Sequence, residues 1–120
     1  MPESPDKSHL VVKETDGVCV VEFSDRKILD ELSITEIQDE LTDLVRDQQG
    51  VKLLLHFGAV EHMSSAALAM LINLNEQIKG VNGVLKLSDI IPQIYEVFKI
   101  TRLNKLFDIH KTAREALAAF

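Results

Sequence analysis

The apolar positions of this chain switch between strand-like runs and the three- and four-residue spacing of helices. Residues 9–14 and 18–24 are rich in β-branched side chains and read as two strands. Between them, Thr15-Asp16-Gly17 carries an Asp-Gly pair suited to the positive φ angles of a tight hairpin, so the two strands are expected to be antiparallel neighbours. Residues 25–31 form a connection around Ile28 and Leu29. Ser33 and Glu36 then have the spacing of a capping box, with Leu32 and Ile37 as its hydrophobic staple. The helix that follows places Ile34, Ile37, Leu41, Leu44 and Val45 on one face and Asp39, Glu40, Asp43 and Asp47 towards water, and it is expected to end near Gly50.

Residues 51–74 hold the most information. Val51, Leu53, Leu54, Leu55 and Phe57 form a run interrupted only by Lys52 and His56, the pattern of a strand covered on both faces. After the turn 58–63, Ala67, Leu68, Leu71, Ile72, Leu74 and Ile78 recur at helical spacing, and Ser64 or Ser65 is the expected N-cap. Residues 80–83 close this helix, and 84–87 read as a short strand. Ser88 and Asp89 offer caps for a third helix, with Pro92 in its first turn and Ile94, Val97 and Phe98 on its inner side. A turn at 103–105 leads to a last strand at 106–109, and Thr112 with Glu115 opens a terminal helix as a second capping box. The expected fold is a single α/β domain over 9–120: a mixed β-sheet with an N-terminal β-hairpin and about four α-helices packed against it. Residues 1–8, with two prolines and mixed charge, are expected to be a disordered lead-in.

Composition narrows the function. With 120 residues and 46% hydrophobic content there is material for one core. The net charge of −6, with no cluster of Lys and Arg, argues against direct nucleic-acid binding. No apolar stretch reaches membrane-spanning length and the first residues lack a signal peptide's apolar core, so the expected location is the cytoplasm. Cys19 stands alone within a strand run and is expected to be a buried, inert thiol.

The strand, turn and helix of 51–74 resemble the STAS domains of the anti-sigma factor antagonists. In that family a buried strand leads to Asp-Ser-Ser-Gly or Asp-Ser-Thr-Gly at a helix start, and a partner kinase, itself the anti-sigma factor, phosphorylates the first serine. Met63-Ser64-Ser65-Ala66 occupies that place, with Met63 for the family's Asp and Ala66 for its Gly, and His56 stands where many members carry a strand Asp. The resemblance extends over nearly the whole chain to the closing segment TRLNKLFDIHKTAREALAAF. It implies a non-enzymatic antagonist, a monomer or weak dimer, that holds a histidine-kinase-like ATPase when unphosphorylated and releases it on phosphorylation. The implied phosphosite is Ser64, with Ser65 as cap or alternative acceptor. No cofactor is implied, since ATP belongs to the kinase.

Each candidate has a plainer reading. A serine before a helix is ordinarily a cap, and an acidic helix face is ordinarily solvated. Ala66, Ala69, Met70 and Asn73 fall away from the apolar stripe and make a weakly polar patch which, with His62, Met63, Ser64 and Ser65, is the candidate partner surface. His56, Glu61 and His62 lack the spacing of a metal site. A serine hydrolase would need small residues around its nucleophile, where Met63 and Ala66 stand. A STAS scaffold or sensor subunit whose Ser64 is never phosphorylated is the other reading.

Overall fold

The computed structural model describes residues 9–120; the lead-in expected over 1–8 lies outside them. In chain order the elements are β1 (Leu10–Thr15), β2 (Val18–Phe23), β3 (Lys27–Ile28), α1 (Glu31–Val45), β4 (Lys52–His56), β5 (His62–Met63), α2 (Ser65–Gly80), β6 (Val84–Ser88), α3 (Pro92–Ile100), α4 (Leu103–Leu106), β7 (Asp108–His110) and α5 (Ala113–Ala118). Five strands form one mixed sheet in the order β1-β2-β4-β6-β7. β1 pairs antiparallel with β2, and the remaining pairs are parallel. Asp16 and Gly17 take φ of 52° and 81°, the geometry expected of their hairpin.

β4 lies at the centre of the sheet, and its alternation explains its unbroken apolar run. Leu53 and Leu55 face the main core with α1 and α2, while Leu54 faces Val18 and Ala116 beneath α5; all three leucines are fully buried. Each contributes about 1.5–3 kcal/mol by burial. An aromatic row, Phe23–Phe57–Phe98–Phe107, crosses the main core with successive ring centroids 5.0, 6.3 and 6.0 Å apart.

Several boundaries differ from the sequence reading. α1 begins at Glu31, capped by Asp30, whose carboxylate accepts the Ser33 N–H at 2.9 Å. Ser33 is therefore inside the first turn, and Leu32 is 68% exposed rather than stapled to Ile37. The pairing of β3 with β5 fixes the chain at Ile28, so the helix starts directly after it. α1 stops at Val45, before the connection in which Asp47 and Gly50 take positive φ. Ser88 and Asp89 cap nothing: Ser88 completes β6, and α3 starts at Pro92 behind Ile91 with no side-chain cap. Residues 103–106 form a single helical turn after Arg102 takes a left-handed φ of 64°, which moves the last strand to 108–110 and brings the helices among the described residues to five. Thr112 does cap α5, accepting from the Glu115 N–H at 3.1 Å. Among the described residues, no helix is long and apolar enough to cross a membrane.

Candidate functional site

β4 leads into a turn that is tied down at almost every step. Phe57 N–H donates to Ser88 O at 2.9 Å, Val60 N–H to Phe57 O at 2.9 Å, and the amides of Glu61 and His62 both donate to Arg26 O, at 2.7 and 3.1 Å. Val60 is fully buried, which anchors the turn from below. Arg26 also pairs with Glu61 across 3.3 Å. β5 then pairs in parallel with β3, Lys27 beside His62 and Ile28 beside Met63, and Ser64 N–H donates to Ile28 O at 3.1 Å.

Ser64 is the N-cap of α2. Its backbone is extended (φ −89°, ψ 168°), and its Oγ accepts the Ala67 N–H at 3.2 Å, so of the two serines it is Ser64 that caps. Ser65 is the first helical residue and is exposed, while Ser64 itself is half-buried. The first turn of α2 holds no acidic residue. A negative group on Ser64 would therefore meet the positive end of the helix without a carboxylate of that turn opposing it.

The surface beside Ser64 is partly as expected. His62, Ala66, Ala69 and Asn73 are exposed, and Met63 is half-buried against the core. Met70 is buried, at 3% exposure, and does not belong to the exposed patch. It faces α1, so the packing of two helices decides its burial, which the α2 pattern alone does not reveal. A cleft of about 380 Å³ runs between Ile34 and Gln38 of α1 and Ala66, Ala69 and Asn73 of α2, with Met70 in its lining. Sequence reasoning missed the exposure of Leu29 and Leu32, which follow the Ile28 carbonyl that holds Ser64 and are 48% and 68% exposed. Ile72, one of the apolar residues at helical spacing, is 37% exposed.

The histidines are not arranged for a metal or a nucleophile. His56 Nδ1 accepts the Gly58 N–H at 3.1 Å and its Nε2 lies 3.1 Å from Asp89 Oδ2, whereas His62 is exposed. No group of three His, Cys, Asp or Glu among the described residues could hold a metal ion, and no histidine among them bonds to Ser64 Oγ. Cys19 is half-buried, and burial, with Glu14 nearby, pushes its thiol pKa up, away from the reactive thiolate.

The STAS domain family matches residues 9–116. The chain belongs to the STAS domain family. A Bordetella bronchiseptica protein named as an anti-sigma factor antagonist is 25% identical over 111 residues, covering 92% of this chain and 93% of that one. Among solved structures, a STAS anti-sigma factor antagonist domain protein from Planctomyces limnophilus superposes with a TM-score of 0.84 at 24% identity, covering 92% of this chain and 96% of that one. An anti-sigma factor antagonist from Mycobacterium paratuberculosis gives 0.80 at 26% identity, covering 97% and 96%. The mixed sheet with its N-terminal hairpin is thus the STAS fold.

Proposed function

We propose that the chain is a cytoplasmic, non-enzymatic anti-sigma factor antagonist that binds an anti-sigma factor of the histidine-kinase-like ATPase type when Ser64 is free and is released when Ser64 is phosphorylated. The observation that carries this reading is the position of Ser64: a half-buried N-cap on a turn pinned to Ile28 of β3, with the exposed Ser65, Ala66 and Ala69 following it and the exposed Leu29 next to Ile28 in the chain. A phosphate there adds up to about two negative charges. The helix N-terminus accommodates them, so the fold survives, while a partner seated over the same turn meets repulsion and the cost of desolvating the phosphate. The chain itself needs no cofactor, and ATP is bound by the partner. Titration of the candidate kinase with unmodified and phosphorylated protein tests the switch. Equal affinity for the two forms removes it.

Met63 favours a second reading, a STAS scaffold or sensor subunit. It is apolar and packs against the core, so it puts no carboxylate beside Ser64 where the family resemblance has an Asp. Purification of the native protein separates the two readings: co-purifying kinase supports the antagonist, and a large homo-assembly without phosphate on Ser64 supports the scaffold.

A further inference from the structure

His56 ends β4, immediately before the turn that carries Ser64, and its ring is engaged from three sides. Nδ1 accepts the Gly58 N–H at 3.1 Å, Nε2 lies 3.1 Å from Asp89 Oδ2, and Glu22 Oε2 of β2 stands 3.7 Å from Nδ1. A ring nitrogen that accepts a hydrogen bond carries no proton, so Nδ1 is the acceptor and Nε2, which carries the ring proton, lies 3.1 Å from Asp89 Oδ2. Asp89 is itself fixed: its backbone is left-handed, at φ 60°, and its Oδ2 accepts from the hydroxyl of the fully buried Ser88 at 2.8 Å. Gly58 is matched to the ring, because a Cβ there would lie 2.6 Å from His56 Cε1.

Glu22 of β2 and Asp89 of the connection after β6 flank the ring, and the Gly58 N–H is the donor to Nδ1.

We propose that His56 is the positioning residue of the Ser64 turn. Its Nδ1 holds the start of the turn through the Gly58 N–H, and a side chain that cannot accept there frees that amide. The hold on the turn stands on the geometry; its consequence, slower phosphate transfer to Ser64 when the acceptor is lost, rests on the reading of Ser64 as the acceptor.

Two measurements test this. In the ¹⁵N-labelled full chain, His56→Leu, which cannot accept the Gly58 N–H, should raise amide exchange at Gly58 and Ser64 about fivefold, the worth of one hydrogen bond, whereas His56→Asn, which places an amide oxygen near the position of Nδ1, should leave both close to wild type. Exchange unchanged in His56→Leu, or raised equally in both variants, overturns the proposal. The second measurement presents wild type and the two variants to the same kinase. Initial phosphorylation should slow about fivefold in His56→Leu and be restored in His56→Asn, and equal rates in all three overturn the positioning role. Transfer to none of them would instead refute the acceptor reading of Ser64 and leave the amide exchange to decide the geometry.

Discussion

The carbonyl oxygen of Ile28 accepts the Ser64 N–H at 3.1 Å, which joins the residue before α2 to the segment that leads into α1. Because Ile28 is fully buried and its neighbour Leu29 is exposed, one short stretch both anchors the Ser64 turn and supplies apolar surface beside it. Ile28→Ala should cost about 2–5 kcal/mol through the cavity it opens, and amide exchange at Ser64 should rise along with the loss of stability measured by denaturant. Unchanged exchange at Ser64 would show that the turn is held without β3.

Changing Ser64 should alter binding more than folding. Ser64→Ala removes the hydroxyl that accepts from Ala67, a cap worth about 1 kcal/mol, and should keep the partner bound while blocking phosphate transfer. Ser64→Asp should keep the fold, since the carboxylate can cap the same helix, and should weaken the partner. Melting curves and kinase titrations of both variants check the two halves separately, with phosphorylated protein as the stronger comparison because a carboxylate carries less charge than a phosphate.

Leu55 is fully buried in the central strand. Leu55→Asp puts an unpaired charge there at a cost of several kcal/mol, enough to leave the domain largely unfolded at room temperature. Circular dichroism with a denaturant titration reads this directly, and a variant that melts like the parent would contradict the sheet register.

His9 joins β1, the β2–β3 connection and α1, its Nδ1 2.7 Å from Asp25 Oδ2 and its Nε2 2.8 Å from Glu36 Oε1. Burial lowers its pKa, but the hydrogen bonds to Glu36 and Asp25 and their charges outweigh this and hold it above its ordinary 6.5. The folded state therefore binds the His9 proton more tightly than the unfolded chain. Its stabilisation is complete below the unfolded value and is lost as pH rises through the raised one. Wild type should lose more stability than His9→Gln between about pH 6 and pH 8, measured as the difference in Tm at the two pH values. Equal losses would show that the clamp does not form.

Purified protein should carry no stoichiometric zinc, and His62→Ala should leave Tm nearly unchanged, because His62 is exposed and belongs to no cluster of ligands among the described residues. Elemental analysis finding one metal per chain would overturn this.

The features legible in the sequence are those fixed by neighbours along the chain. Asp16-Gly17 makes a hairpin because its φ angles are a local matter, Thr112 caps α5 through an amide three residues away, and the run from Val51 to Phe57 is too apolar to be anything but the middle of the sheet. The same locality made Ser64 readable as one of two candidate caps, and the bond from the Ala67 N–H to its Oγ picks it out. The features that were not legible depend on partners distant in sequence. Asp30 rather than Ser33 caps α1 because β3 pairs with β5, some 35 residues further on. Met70 is buried because α1 lies over it, and Asp89 turns to His56 instead of capping α3. His9 meets Asp25 and Glu36 only once β1, the β2–β3 connection and α1 converge. Local torsion preferences and capping bonds involve a few adjacent residues and leave their mark in spacing. Hydrogen bonds and contacts between distant segments form only after the sheet has brought those segments together, and a polar residue's spacing does not say which of several possible partners the fold will bring to it.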